Sequence, residues 1–101
     1  MKIITKQSVL GNITFINYIP NQEHIAPTDG FITLKTQQAG LSQVVAIDLC
    51  IDNQWERFEQ TSSRGGQWIT FTIPVAKGEK WRAYLSDDSA GNTQLYFRPL
   101  S

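Results

Sequence analysis

The feature that most constrains this chain is a period of two. Across most of its length, apolar and polar side chains change places at every step, and Glu, Ala, Leu and Lys never gather at helical spacing. Phe31 to Thr36 sets Ile32 and Leu34 against Thr33 and Lys35. Gln67 to Val75 sets Ile69, Phe71 and Ile73 against Trp68, Thr70 and Thr72. Lys80 to Ser86 sets Trp81, Ala83 and Leu85 against Arg82 and Tyr84, and Thr93 to Pro99 sets Leu95 and Phe97 against Tyr96 and Arg98. Asn12 to Tyr18 is β-branched and aromatic and reads as a further strand. Val44 to Ile51 is apolar on both parities save Asp48, the pattern of a central strand buried on both faces. Gln54 to Gln60 reads as its return strand, with Trp55, Arg57 and Glu59 opposite Glu56 and Phe58; a short helix is the competing reading of this segment.

Turn chemistry punctuates the strands. Pro27 presets its φ, and Asp29-Gly30 tolerates a positive φ, so Ala26 to Gly30 is expected to turn. Asp52-Asn53 reads as a hairpin turn, Gly65-Gly66 as a tight approach to the next strand, Lys77-Gly78-Glu79 as a turn, and Asp87 to Asn92 as a polar loop. Pro74 cannot donate to a ladder and belongs at a strand end or a sheet edge. Seven to eight short strands at even spacing predict an all-β chain: an antiparallel β-sandwich, jelly-roll-like, forming one domain over residues 1–101.

Composition narrows the function. Nine basic residues balance nine acidic ones, which argues against nucleic acid or an anionic membrane as partner, since both draw on surplus Lys and Arg. No apolar run is long enough for a membrane helix. Met1 to Lys6 is charged and lacks the apolar core of a signal peptide, so synthesis in a reducing cytosol is expected and the sequon Asn12-Ile13-Thr14 is expected to stay unmodified. Cys50, the only cysteine, lies in an apolar run and is expected to be a small buried hydrophobe without a disulfide.

Catalytic signatures are weak. His24 is the only histidine and is expected in a loop, away from a nucleophile. One Cys and one His cannot fill a thiolate–imidazole zinc site. Asp87-Asp88 could hold calcium with Asp29 or Asp52, although turn formation explains these residues as well, and adjacent carboxylates do not suit glycoside hydrolysis. The expectation is no enzyme and no cofactor; a hydrolase built on His24 with a Ser or Asp is the outlying alternative.

The aromatics say more. Phe71, Trp81 and Phe97 share the parity of aliphatic neighbours and are assigned to the core. Trp55, Trp68, Tyr84 and Tyr96 fall on the outward parity, where rings beside Arg and Asn suit sugar recognition or a subunit interface. By loop position and hydrogen-bonding capacity, Trp55, Arg64, Trp68 and Asp87 are the candidate ligand-contact residues.

Three segments carry a resemblance. Ala26 to Ile32 resembles the turn-and-strand of small β-sandwich modules in bacteriophage tail-fibre and related virion proteins. Gly65 to Glu79 resembles their strand-turn, and Tyr96 to Leu100 their closing strand. The order and spacing agree, and the segments together span most of the chain. The C1q and tumour-necrosis-factor-like jelly rolls are a more distant likeness. The resemblance implies a virion-surface module, homotrimeric, without catalysis, that contacts a host glycan or protein. It transfers no binding residue. The alternative is a structural or decoration protein of a virion whose rings make subunit contacts and bind nothing from the host.

Overall fold

The fold is seen in a computed structural model, which describes residues 11–38, 43–62, 65–87 and 92–100. Eight strands follow one another: β1 (Thr14–Ile16), β2 (His24–Ile25), β3 (Gly30–Gln37), β4 (Gln43–Ile51), β5 (Gln54–Ser62), β6 (Trp68–Val75), β7 (Lys80–Leu85) and β8 (Thr93–Pro99). They form two antiparallel sheets, ordered β1-β8-β3-β6 and β2-β7-β4-β5. Every connection crosses between the sheets except the β4–β5 hairpin, and this order is that of an eight-stranded jelly roll. Gln54–Ser62 is a strand, not a helix, and the Asn12 to Tyr18 segment keeps ladder pairing only over Thr14–Ile16.

The alternation read from the sequence is the partition between core and surface. Ile32, Leu34, Val45, Ile47, Leu49, Ile69, Ile73, Val75, Trp81, Ala83, Leu85, Leu95 and Phe97 form one buried cluster between the sheets, and Phe71 packs against it. Trp81 is the largest of them, 1% exposed. β4 is buried on both faces as expected, since Ala46 and Asp48 are covered on its outward side. β5 contributes nothing to the buried cluster.

The turns are local chemistry. Asp52 and Asn53 both take positive φ, 51° and 66°, which is the type I′ geometry that matches the twist of a hairpin. Gly78 takes φ 86° in the turn closed by Glu79 N–H donating to the Ala76 carbonyl at 3.0 Å. Asp29 ties this turn to the β2–β3 connection by accepting the Lys77 N–H at 2.8 Å. The expectation for Gly30 is overturned. It is an extended β3 residue, and the glycine serves close approach, since a Cβ there would stand 2.5 Å from the Arg98 carbonyl oxygen and 2.7 Å from the Phe97 ring.

His24 is likewise not a loop residue. It pairs with Trp81 across β2–β7, and the rings stack with centroids 4.4 Å apart. Burial of the imidazole lowers its pKa below 6.5. Cys50 is half-buried on the outward side of β4, not in the core.

Candidate binding site

The two outward faces differ. On the second sheet, Arg82, Asp48 and Arg57 lie in one row across β7, β4 and β5. Arg57 donates from Nε and Nη2 to the two Asp48 oxygens at 2.8 and 3.1 Å, and Arg82 donates from Nε at 2.9 Å. Each guanidinium also lies over a ring: Arg82 over Trp55 at 4.0 Å, Arg57 over Tyr84 at 5.0 Å. Burial alone would push the Asp48 carboxyl up. The hydrogen bonds and charges of Arg57 and Arg82 together outweigh it and hold the group below its usual pKa, and the same bonds raise that of Arg57. Within this row Asp48, Arg57 and Arg82 satisfy one another, and the row ties three strands of the sheet together.

The first sheet presents a different surface. Its outward positions are Phe15 on β1, Gln94, Tyr96 and Arg98 on β8, Phe31, Thr33, Lys35 and Gln37 on β3, and Trp68, Thr70, Thr72 and Pro74 on β6. The parity of two sends these to solvent because Ile32, Leu34, Ile69, Ile73, Leu95 and Phe97 are drawn inward. In register, Phe15, Tyr96, Thr33 and Thr72 make one row across the sheet, and Arg98, Phe31 and Pro74 make the next. Between the rows is a depression of about 300 Å³ lined by Ile13, Phe31, Thr33, Thr72, Tyr96 and Arg98. The Thr33 and Thr72 hydroxyls sit 2.9 Å apart within it. Phe15 braces the Tyr96 ring edge-on at 5.7 Å.

The charges on this face are Lys35 and Arg98, and its strand positions carry no carboxylate. Arg98 makes no ion pair among the described residues, and its Nε is buried without a hydrogen-bond partner. Lys35 lies 5.5 Å over the Trp68 ring, which is 50% exposed. The arrangement offers flat apolar rings, hydroxyls and an unneutralised guanidinium on rigid strands, suited to a ligand with an apolar face and an anionic group.

The candidate residues named from sequence do not converge. Trp55 is half-buried on the second sheet, under Arg82. Trp68 lies on the first sheet at the end away from the depression's Arg98. Asp87 follows β7, and its carbonyl accepts the buried Gln43 amide. Arg64, and Asp88 of the acidic pair, lie outside the described residues. Among the described residues no group of three His, Cys, Asp or Glu could hold a metal ion, and no helix is long and apolar enough to cross a membrane. Sequence reasoning marked Tyr96 and Arg98 as sharing a parity, but the rest of the depression comes from two other strands (Phe31 and Thr33 on β3, Thr72 on β6) and from Ile13 just before β1, and only the strand order brings those together.

Compared with protein-family models, curated proteins and solved structures, the chain finds no match.

Proposed function

We propose that this jelly roll is a non-enzymatic surface module of a virion or tail fibre, and that it binds a host glycan bearing an acidic sugar through the outward face of its first sheet. The observation that carries this reading is the depression itself: Tyr96 and Phe31 rings, the Thr33 and Thr72 hydroxyls, and an Arg98 without an acid partner among the described residues. A pyranose has an apolar face for a ring to meet and hydroxyls for threonines to bond, and a sugar carboxylate supplies the charge that Arg98 lacks. The virion setting rests on the resemblance of the three segments, and jelly rolls as a class include capsid and lectin domains.

A glycan array probed with the purified chain tests the reading. Acidic glycans are expected to be retained over their neutral counterparts. Tyr96→Ala and Arg98→Gln are expected to abolish retention, and Trp55→Leu, on the other sheet, to leave it intact. Equal retention of neutral and acidic glycans, or no retention together with no adsorption to host cells, would overturn it.

A further inference from the structure

The two sheets have four edge strands, and they are not equally protected. β1 and β2 are three and two residues long, and β6 carries Pro74. Short strands and proline are the usual means by which an edge avoids pairing with another chain. β5 has neither. It runs nine residues, Gln-Trp-Glu-Arg-Phe-Glu-Gln-Thr-Ser, without Pro or Gly, and among the described residues nothing pairs with its outer side.

The hairpin fixes which residues face that open side. A two-residue type I′ turn makes Ile51 and Gln54 a hydrogen-bonded pair, and such pairs alternate along an antiparallel ladder. Gln54, Glu56, Phe58 and Gln60 therefore spend their backbone groups on β4. Trp55, Arg57, Glu59 and Thr61 aim their N–H and C=O groups at the open edge.

The sequence of this edge is complementary to itself. We propose that β5 pairs antiparallel with β5 of a second copy of the chain, about a twofold axis at Phe58. Arg57 then stands opposite Glu59 of the partner subunit, and Glu59 opposite the partner's Arg57. Trp55 faces the partner's Thr61, so every outward backbone group from Trp55 to Thr61 gains a bond. On the inner side Phe58 meets the partner's Phe58 in a non-hydrogen-bonded pair, where side chains approach most closely. Phe58 is 41% exposed in the single chain although it lies on the core-facing parity of its sheet, in register with the buried Ile47. Neighbouring registers are poorer: an axis at Glu56, Arg57 or Glu59 sets like charges face to face, and one at Gln60 leaves the Phe58 rings apart. The charges that would guard an edge if they were of one sign select a register here, and the two second sheets join into one continuous sheet.

Sedimentation equilibrium of the full chain is expected to give a dimer. Glu59→Lys sets like charges opposite each other twice and is expected to weaken the dimer by about tenfold or more with an unchanged circular-dichroism spectrum. Phe58→Cys is expected to give a reducible covalent dimer under mild oxidation, and Glu56→Cys to give none. A wild-type monomer at the highest soluble concentration, a trimer, a dimer indifferent to Glu59→Lys, or equal cross-linking at both cysteine positions would each overturn the proposal. Tyr96→Ala leaves this edge untouched and is expected to stay dimeric, so loss of glycan binding and loss of pairing are separate results.

Discussion

Arg82 lays its guanidinium 4.0 Å from the centre of the Trp55 ring, although strand β4 runs between their backbones. The reach is possible because Arg82 is anchored part-way by its Nε bond to Asp48. Arg57 makes the opposite diagonal to Tyr84 from the same carboxylate. One acid thus organises two cation–ring contacts, and the long side chains cover the outward positions of β4. That is why Ala46 and Asp48, 0% and 2% exposed, are buried on a face over which none of the described strands forms a second layer.

Asp48→Ala should therefore cost more than the loss of one surface ion pair. It removes hydrogen bonds to two guanidinium groups and frees both to swing off their rings. The arginines are partly exposed, 42% and 29%, so water recovers some of the loss, and about 2 kcal/mol is expected. Chemical denaturation of the variant measures it. Because the folded carboxyl is held below its ordinary value of 3.8, the contribution is complete above that pH and lost as the pH falls through the depressed folded value. In Asp48→Ala that acid-limb loss should vanish.

His24 should produce a separate pH effect in a higher window. Burial against Trp81 lowers its folded pKa below 6.5. Between that folded value and 6.5 the unfolded chain binds more protons, so stability falls as the pH drops through this range. His24→Phe keeps a ring on Trp81 and removes the proton site. Its melting temperature is expected to change less than that of the wild type between pH 7.5 and 5 (about the span over which an ordinary histidine titrates). An identical pH dependence in both proteins would assign the effect elsewhere.

The limits of the sequence reading follow from what periodicity encodes. Alternation states which side a residue faces, so the sandwich, the core rings Trp81 and Phe97, and the outward parity of Tyr96 and Arg98 were all legible. Register and strand order are not in the alternation. Nothing in Phe31, Thr33 and Thr72 says that β3 lies between β8 and β6, so the depression could not be foreseen. Loop position drew attention to Trp55, whose outward ring the structure instead gives to Arg82. The two-residue β2 is too short to show a period, which is why His24 read as a loop.

Gly30 and Gly78 separate two reasons for a glycine. At Gly30 an added methyl would meet the Arg98 carbonyl and the packed Phe97 ring, both fixed by the core. Gly30→Ala is expected to cost about 1–3 kcal/mol through overpacking. At Gly78 nothing lies within 4 Å of the added carbon, and only its φ of 86° resists a side chain. Gly78→Ala is expected to cost about 1 kcal/mol, and Gly78→Asn less, because Asn tolerates the left-handed region. Melting curves of these variants and of Gly30→Asn test the ranking; at Gly30, Asn should be worse than Ala.

Arg98 offers a contrast between stability and binding on the same side chain. Its Nε is buried without a partner, and no carboxylate neutralises it among the described residues. Such a group costs stability in the free protein, so Arg98→Met should leave the unfolding free energy unchanged or raise it, by about 1 kcal/mol at most. A residue kept at a cost to the fold is one whose benefit lies elsewhere. The same variant should lose retention of acidic glycans, and retention by the wild type should weaken with added salt. If Arg98→Met instead destabilises the chain as much as Asp48→Ala, the guanidinium is part of the scaffold, and the depression loses the charge on which its specificity depends.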